Sequence, residues 1–598
     1  MCGIFALINN RFTLTDKSKP TIEDCFSKGS RRGPENSFKI NLPLNILLGF
    51  HRLAINGLDH ISDQPITHNN VTLICNGEIY NYRELYASNN IVGTTESDCE
   101  VIIHLYIKYG IEYTLGLLDG VFAFILVDFS STESDPQIIV ARDPYGVRPL
   151  YQLSKSDDNH KLGVHDNNNI ITEDIIGFAS EIKELIPLFN NGKLIYQEQT
   201  GTLVQHRNRP HSSNKMNITQ FEPGSYTVLT HSWLADARWR FKTINKKFSS
   251  FGFGCSNTII SLFDSPREVY MEKVYEQIRY YFCKAVEKRV DNTDRPVACL
   301  LSGGLDSSLV TALACKYSKQ TLETYSIGLE GSEDLENAKK VAQYLGTNHT
   351  SVVISEDEFF AAIPEVIYHI ESYDTTTVRA SVGNYLVGKY ISENSQSKVI
   401  LNGDGADELM GGYLYFHEAP GTIEVDVECR RLLTDIHMYD VLRSDKCISS
   451  HGLEPRTPFL DREWVQYYLS IPVGLRDHNA TESIEKCLIR TAFKGQDILP
   501  TEILWRRKEA FSDGVSSHAK PWYEVIQERV SELKEMGEPL LTQKKYSHLP
   551  PKTDEQLYYR NIYEHYYPNQ GELLPYFWMP KFVDAEDASA RTLDIYKI

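Results

Sequence analysis

The sequence predicts two domains of different class: an α+β domain of stacked antiparallel β-sheets with helices, then an α/β domain on a parallel sheet. Three observations predict this. At 598 residues the chain is too long for one hydrophobic core. Its first part is a series of short apolar or alternating runs punctuated by Gly, Asn, Asp and Pro. From about residue 265, apolar runs alternate instead with helical patterns, which is how a parallel sheet with helices on both faces reads.

In the first part, "CGIFALI", "ILLGFHRLAI", "VTLICNGEIY", "VFAFILVDF", "QIIVARD" and "VRPLYQL" are expected strands. A helix is expected at "SDCEVIIHLYIKYG", stopped by Gly110. The pattern ends near "GFASEIKEL". Residues 187–219 are polar and Asn-rich and read as a loop or insertion, with a strand resuming at "EPGSYTVL". The first domain is therefore 2–235, followed by a linker at 236–264 and a second domain at 265–598. Ser265, Pro266 and Glu268 form a capping box ahead of a helix that carries Val274, Ile278 and Phe282 on one face. "PVACLL", "TYSIGL", "TSVVI" and "KVIL" are the next strands. Helices fall at "SSLVTALACKYSK", at "EDLENAKKVAQYLG" with Leu335, Ala338, Val341 and Leu345 on one face, and at "EDEFFAAIPEVIYHI". Residues 420 to 540 read as mostly helical.

A formal net charge of -19 argues against nucleic acid as the partner. No apolar run reaches the roughly 20 residues that span a bilayer, so no membrane partner is expected. Eleven cysteines include no C-x-x-C pair and no Cys/His cluster at zinc spacing, which favours a reducing compartment. The N-terminal "MCGIFALINN" does not read as a signal peptide. A cytoplasmic location is the default, and a homodimer is left open.

"VILNGDGADE" (399–408) runs from an apolar strand into a turn with Asp404, Asp407, Glu408 and two glycines. Such a turn can hold calcium, cap a helix, or serve a nucleotide and its magnesium; the spacing is not that of an EF-hand. "LLSGGLDSS" (300–308) is a second Gly-rich turn, between a strand and a helix. Backbone N–H groups there can surround phosphate oxygens, although the Gly-Lys-Ser/Thr ending of a Walker loop is missing. Ligands of open parallel sheets gather at the carboxyl ends of strands, so both turns are expected at one site. Magnesium takes one or two carboxylates plus phosphate oxygens, which makes Asp306 and Asp407 the candidate pair.

In the first domain, removal of Met1 is expected because the next residue is small. Cys2 then carries thiol and α-amino group together. Their ordinary pKa values, about 8.5 and about 7.7–8.0, let the amine take the thiol proton. Taken alone, a cysteine is more often a small buried hydrophobe. Other loop residues favour chemistry. Asn76 and Gly77 can stabilise an oxyanion, and Arg52 can hold a carboxylate bidentately. Glu78 and Asp98 can hold an ammonium. Such a set suits an amino-acid amide, with glutamine the obvious candidate.

Together "MCGIFAL", "GFHRLAI", "NGEIYN", "ARDPYGVRPL", "LLSGGLDSS", "TTTVRAS", "GGYLYFH", "PFLD", "RRKEAFSDG" and "WMPKFVDAEDASARTLDIYK" resemble the glutamine-hydrolysing asparagine synthetases, eukaryote-like branch, over essentially the whole chain. The resemblance implies an N-terminal-nucleophile glutaminase domain and an ATP-pyrophosphatase-type synthetase domain. It implies glutamine hydrolysis at Cys2 through a thioester, with Asn76 and Gly77 as oxyanion hole. Arg52, Ile55, Asn56, Glu78 and Asp98 match glutamine-contacting positions. ATP would convert aspartate to an aspartyl-adenylate, releasing pyrophosphate, and ammonia passed through an internal tunnel would attack it to give asparagine and AMP. Leu301, Ser302, Gly303, Gly304, Asp306, Ser307, Ile327, Asn402 and Gly403 match nucleotide positions, and Lys508 a lysine near the phosphates. Glu371, Asp374 and Arg379 are assigned to the aspartate pocket, with a structural wall as the competing role. The cofactor implied is Mg2+, with L-glutamine, L-aspartate and ATP as substrates.

Two departures stand out. The family's frequent "SGEGSDE" is "NGDGADE" here, so Asn402 replaces Ser and Asp404 replaces a Glu tied to the adenylate. Aspartate keeps the charge one methylene short, and retained activity is expected. The usual "RHRGPD" is "SRRGPE". A beta-lactam synthetase, the neighbouring alternative, would lack Cys2. A catalytically silent relative would have lost Cys2, Asp306, Asp407 or Lys508.

Overall fold

A computed structural model describes residues 1–10, 19–131, 135–155, 175–191, 194–196, 203–205, 216–231, 238–249, 267–481, 483–517, 519–541 and 546–597. The chain divides into two compact units, Met1–Ser249 with Tyr566–Leu573, and Ser250–His565 with Leu574–Ile598.

The first unit holds strands β1 (Gly3–Ile8), β2 (Asn36–Leu42), β3 (Ile46–Arg52), β4 (Ile66–His68), β5 (Val71–Ile79), β6 (Gly120–Asp128), β7 (Gln137–Arg142), β8 (Tyr151–Lys155), β9 (Ile176–Ala179), β10 (Leu194–Tyr196), β11 (Leu203–Gln205), β12 (Met216–Gln220), β13 (Ser225–His231) and β14 (Trp239–Lys247). Two six-stranded antiparallel sheets form, in the orders β12-β8-β9-β1-β3-β2 and β14-β13-β7-β6-β5-β4, with β10 and β11 as a separate pair. Alternation along the strands decides what each face meets. Ile4, Ala6 and Ile8 of β1 join Ile74 of β5 and Ile125 and Val127 of β6 in one core between the sheets. Leu73 and Cys75, on the other face of β5, pack with Val101, Ile102 and Leu105 of the helix Val101–Tyr109.

Residues 187–219 are not simply a loop. The helix Ile182–Asn191 runs through Pro187, and β10, β11 and the start of β12 follow. Similarly, β14 occupies part of the expected linker at 236–264 and pairs with β13. Only Trp239 of β14 is fully buried; the rest alternates Arg, Lys and Asn with exposed or half-buried residues, as an edge strand does, and so shows no apolar pattern. Ser265 and Pro266 lie outside the described residues, but Val274, Ile278 and Phe282 are buried on the helix Arg267–Asp291.

The second unit is built on β15 (Val297–Leu300), β16 (Glu323–Gly328), β17 (Asn348–Val353), β18 (Val399–Leu401) and β19 (Glu454–Arg456), all parallel, in the order β17-β16-β15-β18-β19. Chain order runs outward from β15 to β17 and then returns to the other side at β18. The switch between β15 and β18 is where such sheets open a crevice. Strand β19 was not expected: its three residues, Glu-Pro-Arg, are buried only because neighbours cover them. The expected helix at "EDEFFAAIPEVIYHI" is two, Glu356–Ala361 and Ile363–Ile370, because Pro364 opens a new first turn. Unexpected too is the 20-residue helix Thr375–Asn394. Its β-branched and glycine residues form helices poorly, but it is buried on several sides. Gly383 is required there, since a Cβ would stand 2.9 Å from the Phe511 ring.

Candidate functional site

The strand phase that buries the core of the first unit also assembles its polar residues. On β5, Asn76 and Glu78 follow Ile74 on the inner face. Arg52 follows Leu48 and Phe50 on β3, and Cys2 precedes Ile4 on β1. Gly3 pairs with His51, so Cys2 and Arg52 come at neighbouring strand ends. Cys2 is half-buried; its Sγ lies 3.6 Å from the Leu53 carbonyl, and its own carbonyl accepts from Arg32 Nε at 2.9 Å. Met1 precedes it and is buried, so the Cys2 amine becomes free only on cleavage of Met1.

Asn76 is wholly buried, yet neither its Nδ2 nor its Oδ1 has a hydrogen-bond partner. A buried amide left open on both atoms costs stability, so its retention suits a bound ligand. Gly77 sits where a Cβ would stand 2.5 Å from the Val121 carbonyl, so only glycine lets β5 and β6 close here. Asn56 Nδ2 donates to Glu78 Oε2 at 2.7 Å, and Ile55 is buried beside it in sequence. Asp98 accepts from the Ile79 amide at 2.6 Å. Arg52 donates to the Asp59 carbonyl at 2.8 Å, to the Gly57 carbonyl and to Asp63. Its guanidinium is thus fixed by the 57–63 loop.

In the second unit the two Gly-rich turns touch. A Cβ on Gly403 would stand 2.9 Å from Asp306 Cβ and 2.9 Å from the Ser307 amide. Gly303 has φ +74 and lies against Asn337 and Ala338 with no room for a side chain. The turns line a cavity of about 190 Å³ together with Leu301, Ser302, Gly304, Asp306, Ser307, Ile327, Asn402, Asp404, Asp407 and Lys508. Ser302 and Ser307 hydroxyls lie 3.0 Å apart, and the Leu301 amide donates to the Tyr325 carbonyl at 2.8 Å.

Lys508 Nζ lies 2.5 Å from Asp407 Oδ2 and 3.8 Å from Asp306 Oδ2. Lys486, which no sequence motif announces, lies 2.5 Å from both Asp306 Oδ2 and Asp407 Oδ1. Burial raises the Asp407 carboxyl, but Lys486 and Lys508 outweigh it and hold it down at about 2. Burial would likewise lower Lys508; Asp407 and Asp306 win and push it above its ordinary value. Glu408 behaves oppositely. Burial, with Asp440 and Asp407 nearby, drives it well above the usual carboxylate range, and it accepts from the Tyr413 hydroxyl at 2.5 Å.

The two departures have local explanations. Asn402 Nδ2 reaches Ser444 Oγ at 2.7 Å and its amide donates to the Arg456 carbonyl at 3.1 Å, so the larger side chain is accommodated. Asp404 Oδ1 accepts from Arg443 at 3.0 Å, while its buried Oδ2 has no hydrogen-bond partner. Arg443 also holds Asp440, and Asp440 accepts from the Gly405 amide at 3.0 Å.

The three residues assigned to an aspartate pocket are not in the cavity wall. Glu371 forms a fully buried ion pair with Lys446. Asp374 caps the helix Thr375–Asn394, accepting from the Thr377 amide at 2.9 Å and the Trp578 amide at 2.7 Å. Arg379 is gripped by Glu555 at 2.8 and 2.7 Å and by Asp587 at 2.6 and 2.9 Å. Charged residues in one run of sequence read the same whether they face a ligand or partners within the protein, and here each has partners within the protein. Among the described residues, no group of three or more His, Cys, Asp or Glu stands ready to hold a metal by itself. No helix there is long and apolar enough to cross a membrane.

A glutamine amidotransferase domain model matches residues 1–240, and an asparagine synthase model matches residues 277–424 and 419–570. The chain is 39% identical to an asparagine synthetase (glutamine-hydrolysing) of Gallus gallus over 100% of this chain and 99% of that protein. It is 38% identical to those of Rattus norvegicus and Homo sapiens, again over 100% of this chain and 99% of each relative.

Proposed function

The chain belongs to the glutamine-hydrolysing asparagine synthetases, and we propose that it makes L-asparagine from L-aspartate, with ATP and with ammonia taken from L-glutamine. The observation that carries this reading is that one chain holds two separate kinds of chemistry. One unit has a half-buried thiol packed against the core between its two sheets and an open buried amide on a strand of the facing sheet; the other has two glycine turns closed on an Asp–Lys cluster.

In the first unit, the Cys2 thiolate attacks the amide carbon of glutamine once the α-amino group, freed of Met1, has taken its proton. The open Asn76 amide and the Gly77 N–H receive the oxyanion, ammonia leaves, and water hydrolyses the thioester to glutamate. Arg52 suits the substrate carboxylate, and Glu78 and Asp98 its ammonium; Ile55 and Asn56 complete the wall.

In the second unit, an aspartate carboxylate oxygen attacks the α-phosphorus of ATP. Pyrophosphate leaves, and the mixed anhydride is then attacked by ammonia to give asparagine and AMP. The 301–307 turn, Ile327, Asn402 and Gly403 suit the nucleotide, and Lys508 the charge that grows on the phosphates. Asp404, with one carboxylate oxygen unpaired, suits a role toward the adenylate or the incoming ammonia. Magnesium fits the Asp306–Asp407 pair, because Asp306 Oδ1 is buried without a hydrogen-bond partner beside the phosphate turn. When bound, the ion would neutralise phosphate charge. Glu371, Asp374 and Arg379 instead hold the protein together outside the cavity lining, through Lys446, the start of the helix Thr375–Asn394, and Glu555 with Asp587.

The ten described cysteines are all free thiols, which supports a cytoplasmic setting. Net charge -19 supports a small-molecule enzyme without nucleic acid. The deciding assay supplies glutamine, aspartate, ATP and magnesium and follows asparagine, AMP and pyrophosphate. Equal amounts of the three products are expected. Glutamate release without asparagine would overturn the synthetase half.

A further inference from the structure

Lys486 is placed where a cation belongs. Its Nζ stands 2.5 Å from Asp306 Oδ2 and 2.5 Å from Asp407 Oδ1, bridging the two turns. The side chain is 1% exposed, against 18% for Lys508. The backbone is shaped around it. Lys486 has φ +60, an unfavourable conformation for a non-glycine residue, at the N-cap of the helix Cys487–Phe493. Gly412 leaves it space, since a Cβ there would lie 2.1 Å from both Lys486 Cε and Asp407 Oδ1. The preceding residue, Glu485, accepts from the Lys508 amide at 2.8 Å and from Arg490 at 2.7 Å. The segment that delivers Lys486 is therefore tied down, while Lys508 approaches the same carboxylates from a more open side.

Two carboxylates and two ammonium groups sum to zero charge. A divalent ion entering alone would leave the cluster two charges positive, whereas one entering with nucleotide phosphates would not. We propose that Lys486 is a positioning residue that stands in for the metal between Asp306 and Asp407 in the nucleotide-free protein, and so makes divalent-cation uptake depend on the phosphates. This rests on the reading of the cluster as a magnesium–nucleotide site.

The test is equilibrium dialysis of the full chain against Mn2+, with and without an ATP analogue bridged by methylene between the α and β phosphates. Wild type is expected to retain one tightly bound Mn2+ per chain only with the analogue. Lys486→Met is expected to retain it without nucleotide, with affinity raised on the order of tenfold or more, because one buried positive charge is gone. Lys486→Arg keeps the charge and should behave as wild type. The double variant Lys486→Met/Asp407→Asn should lose the new uptake, which separates it from surface binding. If Lys486→Met does not unfold cooperatively, Lys486→Gln replaces it, the neutral amide still bridging both carboxylates. Failure of the neutral variant to take up Mn2+ alone, or uptake by Lys486→Arg, overturns the role of Lys486. Absence of uptake by wild type with the analogue overturns the underlying site and this inference with it.

Discussion

In the first unit the buried Asn76 amide has no hydrogen-bond partner, whereas in the second unit Asp306 and Asp407 are each held by an ammonium group. One site centres on an uncharged amide left open on a β framework. The other is a cluster of charges that balance one another. A developing oxyanion needs donors that nothing else occupies, because any internal partner would have to be broken during reaction. A highly charged nucleotide needs cations, and cations buried in an empty site need counterions.

This contrast can be broken most sharply at Cys2. Cys2→Ala is expected to abolish glutamine-driven asparagine formation while ammonia-driven formation continues; loss of both would mean that the two sites are not separate. Next, Asn76→Ala should lower kcat for glutamine hydrolysis by about 10²–10³. Global stability should change by no more than about 1 kcal/mol, since no hydrogen bond within the protein is lost. Steady-state kinetics and urea unfolding check this together. Arg379→Met should do the reverse for the second unit. The buried Glu555 and the half-buried Asp587 would be left without their partner, at a cost of about 3–5 kcal/mol in unfolding free energy, with KM for aspartate unchanged in any fraction that folds. The smallest effect concerns pH. Asp407 lies at about 2 when folded against an ordinary 3.8. Its contribution to stability is therefore full above about pH 4 and is lost as pH falls toward 2. Denaturation midpoints between pH 5 and 2 should fall less steeply in Asp407→Asn.

The sequence determined most where a local rule is strict. Period-two alternation on β1, β3 and β5 announces the strands, and also fixes that Cys2, Arg52, Asn76 and Glu78 share the inner phase. The two glycine turns are readable because only glycine accepts φ +74 at Gly303 or the close approach at Gly403 and Gly77. Strands β14 and β19 and the helix Thr375–Asn394 were not readable, since their stability comes from neighbours rather than from propensity or pattern. The same holds for charge. Glu371, Asp374, Arg379 and Lys486 are alike in sequence, as ionisable residues whose partners no local pattern names. Tertiary structure alone sent the first three to Lys446, a helix N-terminus and two distant carboxylates, and brought Lys486 to Asp306 across 180 residues. Backbone conformation is set within a few residues, but the partner of a charge is set by whatever the fold carries to within about 4 Å of it.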